Sequence, residues 1–427
     1  MKKIAAILLL LSSVHAAAQT IDERVERELP ALLETYKRLH AAPELSKLEE
    51  KTSAFLASRL RELGYEVTER VGKYDDPKAT CYGVVAMLRN GSGPTVLLRT
   101  DMDALPVTEA TSLPYASTNS GVMHACGHDL HMTSLLGTAK LLADLRKQWR
   151  GTVLLIGQPA EEVVAGASAM LRDGLYERFA RPDYAVALHD LAHVPLGKIA
   201  YTPGFFMASS DSVDVTIRGI GGHGASPQSG KDPVIVAAQF LVALQTIASR
   251  ERSPLDPVVV TAGSIHGGTK RNIIPDEVKI ALTVRTYKPE VRERVLAAIE
   301  RIARGVAATA GIPDERAPIV TRISSESADA TYNDPVLTER LAAALKKSLG
   351  ADNVIRIDPL MVSEDFNRYG LDGKIPAVML GIGAGDPRRI GAGTMPGLHS
   401  AQFAPVPEPA IRTAVRAATS MMLELLR

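Results

Sequence analysis

Three histidines and one cysteine lie within eight positions of the segment GVMHACGHDLHMTS, residues 121–134. The whole chain contains only ten histidines and two cysteines, so the local density is high. Thiolate and imidazole groups at this spacing are typical ligands of borderline-soft divalent ions. The alternative interpretation is a chance group of polar side chains at the start of a helix. The four residues are His124, Cys126, His128 and His131.

Further acidic and histidine side chains follow segments that predict buried strands. The runs LLRTDMDALP, TVLLIGQPAEE and YAVALHD each place such residues after an apolar stretch. In a parallel sheet, ligands bind beyond the carboxyl ends of the strands. A hydrolytic metal site needs ligands, an open position for water and a base that takes the water's proton. The residues at these predicted strand ends are Asp101, Asp103, Glu161, Glu162 and His189.

The cysteines have a second possible chemistry. If the chain is exported, a disulfide between Cys81 and Cys126 is the default expectation. The surroundings of Cys126 favour a metal ligand instead, and we therefore expect both cysteines to be free.

Strands that alternate with helices predict an α/β fold with a mostly parallel sheet covered on both faces. Helical spacing of apolar residues covers 22–40, 47–63, 335–348 and the segment from Glu408 onward. Between residues 208 and 323 the pattern changes to two helices and about four antiparallel strands. We therefore expect an inserted α+β lid or dimerisation domain at 208–323, within a catalytic domain made of 19–207 and 324–427.

The first 18 residues have the pattern of a secretory signal peptide, with cleavage expected after Ala18. Their apolar run, IAAILLLLSSV, has 11 residues, and a membrane-spanning helix needs about 20. We expect no later stretch to be long and apolar enough to span a membrane, and the signal peptide implies that the mature protein would be periplasmic or secreted. The formal charge of +1 becomes −1 without Lys2 and Lys3, which gives no electrostatic reason for a nucleic-acid partner.

Seven motifs resemble, in their order along the chain, those of the metal-dependent N-acyl-amino-acid amidohydrolases. This group of dinuclear metallopeptidases includes hippurate hydrolases, aminoacylase/carboxypeptidases and auxin-conjugate hydrolases. The motifs are LLRTDMDALP, GVMHACGHDLHM, QPAEE, GGHGASPQSGKDP, GTKRNIIPDE, SEDF and GLHS. The resemblance covers essentially the whole mature chain and implies hydrolysis of the amide bond of an N-acyl amino acid.

Two other functions remain open at this point. A dipeptidase or carboxypeptidase would use the same dinuclear site, and the sequence does not show whether a free amine is recognised. A non-catalytic exported protein that binds a metal or ligand is a second alternative, from a different class. The presence of Glu161 argues against it, because such a protein would not need a general base.

The resemblance also implies roles for individual residues. Glu161 would be the general base, and Asp103 would orient a ligating imidazole. His223 would stabilise the oxyanion, commonly from the partner subunit of a homodimer. Asn272 and Arg285 would hold the substrate carboxylate and polarise the scissile carbonyl. Two divalent ions (Zn, Mn, Co or Ni) would be held by Cys126, His128, Glu162, His189 and His399.

Some positions depart from the family pattern or have no assigned role. Val163 and Val164 follow the paired glutamates where related sequences usually have glycines, and β-branched residues stiffen such a turn. Asp101 occupies a position where related dinuclear peptidases have a histidine ligand. We expect structural roles for His40 and His131. The roles of three further histidines stay open: His124, His193 and His266.

Overall fold

The structure, a computed structural model, describes residues 20–427, so the expected signal peptide lies outside the described residues. The helices are α1 (Ile21–Ala41), α2 (Glu50–Glu62), α3 (His128–Asp144), α4 (Gly166–Arg172), α5 (Leu175–Arg178), α6 (Pro233–Thr246), α7 (Pro289–Thr309), α8 (Pro335–Leu349), α9 (Pro387–Gly391) and α10 (Pro407–Leu425). The strands are β1 (Glu66–Thr68), β2 (Val84–Asn90), β3 (Thr95–Asp101), β4 (Gly151–Gln158), β5 (Tyr184–Pro195), β6 (Ile199–Tyr201), β7 (Gly204–Met207), β8 (Ser210–Arg218), β9 (Gly222–His223), β10 (Val258–Gly267), β11 (Ile273–Ile274), β12 (Glu277–Thr286), β13 (Ile319–Ala328), β14 (Thr331–Asn333), β15 (Val354–Arg356) and β16 (Ala377–Gly385).

The large sheet has eight strands in the order β1-β2-β4-β3-β5-β16-β6-β15. Its centre is parallel as predicted, because β3 pairs parallel with β4 and β5, and β16 pairs parallel with β5. The outer strands make the sheet mixed: β2 is antiparallel to both β1 and β4, and β6 is antiparallel to β16. The α/β fold class is therefore confirmed, with a mixed rather than uniformly parallel sheet.

Apolar side chains from both faces of the large sheet bury it between helices. On one face, α1, α3 and α10 pack on one another and on the sheet, with Tyr36, Leu136 and Val415 in the core between them. On the other face, the shorter α4 packs through Met170 onto residues such as Leu154. Burial on both sides explains the apolar runs at 96–98 in β3 and 153–156 in β4. It also gives the strand ends a rigid base.

The second sheet has four antiparallel strands in the order β10-β12-β8-β13. In β12, buried and more exposed residues alternate, as expected for a sheet that is covered on one face. Helices α6 and α7 cover that face, and their core includes Phe240 and Ile299. Strands β7 and β14, which flank this unit along the chain, pair with each other. The α+β insertion expected from the sequence is thus present as two helices on four strands.

Helix α6 and its continuation form a segment, Pro233–Glu251, that is long and apolar enough by length and composition to cross a membrane. The expectation that no later stretch reaches this threshold was therefore wrong. The helix packs with Phe240 and Leu244 buried on the small sheet, as the core helix of a globular domain does. Its other face leaves Ile235 and Val242 exposed, by 57% and 74%.

Candidate metal centre and active site

Three neighbouring parallel strands deliver the acidic and imidazole side chains to one end of the large sheet. Strand β3 ends at Asp101 and leads to Asp103, and β4 ends just before the paired glutamates. Strand β5 carries His189. The side chains converge because parallel strands of one sheet end on the same side. This is the convergence that the strand-end pattern predicted.

The five residues expected to hold metal are linked to one another by short contacts. Cys126 Sγ is 3.6 Å from His189 Nε2. His128 Nε2 is 3.9 Å from Glu162 Oε1, and His399 Nε2 is 3.4 Å from Glu162 Oε2. Ligand atoms of Cys126, His128 and Glu162 all lie within 4.8 Å of one another. One ion can therefore be surrounded by sulfur, nitrogen and oxygen ligands.

Hydrogen bonds fix the orientation of two of the imidazoles. His128 Nδ1 donates to the backbone carbonyl of Asp103 at 2.8 Å, and His189 Nδ1 donates to that of Asp190 at 2.8 Å. Each contact leaves Nε2 facing the cluster with a free lone pair, which is the arrangement of a metal-ligating histidine. The Asp103 carboxylate, expected to orient an imidazole, lies 3.4 Å from His128 Nδ1 and accepts the Glu162 N–H at 3.0 Å.

The donor set passes a simple test for metal binding. Among the described residues, His128 Nε2 and Glu162 Oε1 are buried without any hydrogen-bond partner. Buried polar atoms are nearly always satisfied, so two such atoms 3.9 Å apart fit a pair of ligands to one cation. Burial raises the pKa of the Cys126 thiol well above its usual range and that of Glu162 to about 7. A bound divalent ion reverses both shifts, because it favours the thiolate and the carboxylate.

Unusual backbone conformations place these groups. Ala160 and His399 have φ of 51° and 65°, in the left-handed region that side chains with a Cβ rarely adopt. Val164 also has a positive φ of 56°. This backbone conformation is strained for a β-branched residue. At Gly127, with φ of 76°, a Cβ would lie 2.6 Å from the Asp190 carboxylate. Glycine is therefore required where the ligand turn enters α3.

The proposed base, Glu161, has different surroundings from its neighbour. Its Oε2 is 3.8 Å from His128 Nε2, and it lines the cavity in front of the ligands. Its carboxylate lies within 4.8 Å of those of Glu364 and Asp365. Burial and the charge of Glu364 raise the pKa of Glu161 well above its usual range. A carboxylate with a raised pKa beside a metal cluster is suited to taking and returning a proton.

Arg99 offsets part of this acidic charge from beneath. It is fully buried on β3 and contacts Asp101 Oδ2 at 2.5 Å and Glu364 Oε1 at 2.8 Å. Its Nε donates to Gln158 at 2.9 Å. Although burial opposes its charge, these carboxylates keep the pKa of Arg99 well above its usual range. The guanidinium therefore joins the ends of β3 and β4 to the SEDF segment.

A cavity of about 670 Å³ opens in front of the ligands. The domain built on the eight-stranded sheet, called the large domain, contributes Glu161, Glu162, His189 and His399 to the cavity wall. The inserted domain, called the small domain, contributes Arg285. Arg285 donates a hydrogen bond to Ser363, and burial lowers its pKa. Its guanidinium has no carboxylate partner within residues 20–427, so it is available to a substrate anion.

His223 and Asn272 lie together but not in this cavity. Strands β9 and β11 pair His223 with Ile273, and Gly224 N–H donates to the Asn272 carbonyl at 2.8 Å. Both side chains are exposed, and His223 Nδ1 accepts the Ala225 N–H at 3.1 Å. Within one chain, then, the structure joins Arg285 to the metal ligands but does not join these two residues to them.

The remaining histidines and cysteine have separate environments. His131 bridges Asp101 and Asp190 at 2.7 and 3.1 Å, and His40 pairs with Asp129 at 2.7 Å, which are structural contacts. His124 is buried, and burial lowers its pKa to about 4. His193 and His266 are exposed. Both cysteines, Cys81 and Cys126, are buried and form no disulfide.

Several residues of this site have no role in the sequence-based prediction. The SEDF motif contains Glu364 and Asp365, and its two adjacent acids are a signal of a site. Arg99 had a stronger signal, because a charged residue inside an apolar strand requires buried partners. Asp190 directly follows His189, and no spacing between residue types in the sequence indicates a role for it.

Comparisons with known proteins agree with this geometry. Residues 97–424 match the family described as peptidase family M20/M25/M40. The chain is 40% identical over 335 residues to a hippurate hydrolase of Campylobacter jejuni, covering 78% of this chain and 83% of the relative. It is 38% identical over 338 residues to an N-acetyl-L-cysteine deacetylase of Bacillus subtilis, covering 78% and 76%. A Bacillus subtilis structure described as a dinuclear metal-binding peptidase of the M20 family superposes with a TM-score of 0.75, at 29% identity, covering 93% of this chain and 99% of that one.

The two cysteines provide a matched test of the metal site. Cys126→Ala removes a ligand and should lower the affinity for divalent metal by at least about tenfold, which even loss of an outer-shell partner costs. Cys81→Ala removes an equally buried thiol whose Sγ contacts the Val71 carbonyl at 3.5 Å, and should keep full metal content. Elemental analysis after reconstitution, with circular dichroism to confirm folding, measures both. Equal metal content in the two variants would refute the assignment of Cys126.

Proposed function

The chain belongs to peptidase family M20/M25/M40, and we propose that this metal-dependent hydrolase cleaves the amide bond of N-acyl amino acids. The observation that carries the proposal is the shared cavity, in which Arg285 faces the same space as Glu161 and the metal ligands. An arginine free to bind a carboxylate suits the amino-acid half of such a substrate. The relatives named hippurate hydrolase and N-acetyl-L-cysteine deacetylase act on this substrate class.

The residues of the chain divide the work of hydrolysis. Divalent ions held by Cys126, His128, Glu162, His189 and His399 would polarise the scissile carbonyl and lower the pKa of the attacking water toward about 7. Arg285 holds the substrate carboxylate and thereby fixes the position of the scissile bond. Glu161 takes the proton of the attacking water and returns it to the leaving amine. Burial and the nearby charges of Glu364 and Asp365 raise the pKa of the Glu161 carboxyl group, which Arg99 partly opposes, and this favours the return of the proton to the amine.

Glu161 and Glu162 should separate in their effects. Glu161→Gln keeps the size of the side chain but cannot accept a proton, so turnover should fall by about 10²–10⁴-fold with metal content unchanged. Glu162→Gln should lose metal affinity because it removes a ligand oxygen. The assay compares metal-loaded variants on N-acetyl, N-benzoyl and N-indolylacetyl amino acids, with dipeptides as the peptidase alternative. Exchanged phenotypes would show that the two roles are reversed.

We further propose a homodimer through the small domain, in which His223 acts in the partner's active site. Its exposed position beside Asn272, outside the cavity of its own chain, supports action on another chain. The exposed apolar face of α6, with Ile235 and Val242, offers a surface that a second subunit would cover. An imidazole donor would stabilise the oxyanion of the transition state.

Mixing two inactive variants tests this arrangement. His223→Ala should lower kcat by about 10²–10³-fold, as loss of one oxyanion donor does. Mixed with Glu161→Gln after subunit exchange, it should regain activity, because each heterodimer contains one intact site. Homodimers of each variant alone are the controls. No recovery after verified exchange, or full activity of a monomer, would exclude action in the partner.

We also propose that the protein is exported, because the first 18 residues combine a basic start, an apolar run and small residues. N-terminal sequencing of protein from the cell envelope should then find Gln19 as the first residue. Intact Met1 on protein that stays in the cytosol would contradict export.

A further inference from the structure

Lys47 is a cation of the cavity wall that the proposed mechanism does not use. The positively charged groups that line the cavity are Lys47 and Arg285. Within the described residues Lys47 forms no ion pair, and its ammonium lies 5.4 Å from the centre of the Tyr74 ring. An unpaired cation beside a substrate cavity is available to an anion of the substrate.

The backbone at Lys47 is tied to the active-site turns. Its N–H donates to Glu49 Oε1 at 2.8 Å, and the same oxygen accepts the Ala160 N–H at 2.8 Å. The preceding Ser46 donates its hydroxyl to the Asp103 carboxylate at 2.6 Å. Lys47 itself has a φ of 69°, which these contacts impose on a residue with a side chain. The position of Lys47 is thus set by the residues that place Glu161.

The two cations come from the two different domains that line the cavity. Arg285 lies on β12 of the small domain and binds Ser363, whereas Lys47 lies between α1 and α2 of the large domain. The turn joined to Lys47 through Glu49 continues into Val163 and Val164, which also line the cavity. A cation beside an apolar wall suits an acyl chain of a few methylene groups that ends in a carboxylate.

The cavity's remaining acidic residue does not change this assignment. Apart from Glu161 and Glu162, the carboxylate that lines the cavity is Glu326. It lies on β13, a strand of the small sheet that also contains β12. Glu326 therefore lies in the same domain as Arg285. Among the described residues it makes no ion pair with Lys47.

We propose that Lys47 forms a subsite for an anionic acyl group, so that the enzyme prefers substrates such as N-succinyl amino acids over neutral analogues. This inference rests on the proposed function and specifies its substrate class. Because Lys47 is exposed, the expected preference is about two- to fivefold, the range of a solvent-accessible ion pair. The preference should decrease as ionic strength rises.

The test compares N-succinyl and N-succinamoyl derivatives of one amino acid, which differ in charge but hardly in shape. The ratio of their kcat/KM values should favour the succinyl compound by about two- to fivefold in the wild type and in Lys47→Arg. It should fall to about one in Lys47→Met. Lys51→Met removes a nearby surface charge on α2 and is the matched control, with an unchanged ratio.

A binding measurement separates recognition from turnover. Calorimetric dissociation constants for both compounds, measured in a Glu161→Gln background, should show the same charge preference and its loss with Lys47→Met. A ratio that Lys47→Met leaves unchanged would overturn the subsite. A Lys47-dependent preference for N-acetylglutamate over N-acetylglutamine, with none for succinyl over succinamoyl, would overturn the assignment to the acyl half.

The assay distinguishes failure of the Lys47 subsite from failure of the proposed function. If the metal-loaded wild type cleaves N-acetyl amino acids without any Lys47-dependent charge preference, the amidohydrolase proposal stands and the subsite is rejected. If it cleaves no N-acyl amino acid at all, the proposed function is rejected and the subsite with it.

Discussion

Buried carboxylates set the main physical constraint on this protein. Desolvation makes an uncompensated buried charge very costly, so each acidic group needs a cation or must stay protonated. Arg99 is the buried guanidinium beneath the cluster, and it reaches only part of it. The acidic side chains gathered at this end of the sheet are Asp101, Asp103, Glu161, Glu162, Asp190, Glu364 and Asp365. Although burial opposes its charge, His131 has a pKa raised to about 9 by Asp101 and Asp190, and two divalent ions would supply the remaining positive charge.

The active-site turns adopt strained backbone conformations that bring these charged groups together. Non-glycine residues at positive φ are uncommon, yet Ala160, Val164 and His399 all adopt it within the site. Their strain is tolerated because the strands behind them are packed on both faces and cannot relax. Lys47 belongs to the same pattern, since Glu49 holds its N–H together with that of Ala160. The rigid strand ends therefore hold the metal ligands, the general base and the substrate-binding cations in defined positions.

The sequence could predict the fold class and the convergence of the ligands because both follow from periodicity and strand ends. It could not predict that β2 and β6 run antiparallel to their neighbours, since the pattern of side chains along a strand does not distinguish its direction. Arg99 and Glu364 are far apart along the chain, so their contact depends on tertiary packing. The separation of His223 from the cavity likewise depends on how the small domain folds, which no local motif encodes.

Two metal ions should occupy the space between the five converging ligands. Anomalous diffraction from crystals, recorded at the absorption edge of the bound metal, measures this directly. Two peaks are expected and, for zinc, Cys126 Sγ should lie at about 2.3 Å and His128 Nε2 at about 2.0–2.1 Å from an ion. Glu162, His189 and His399 should complete the set of ligands. A single peak among Asp101, His131 and Asp190, or no peak near Cys126 in metal-saturated active enzyme, would contradict it.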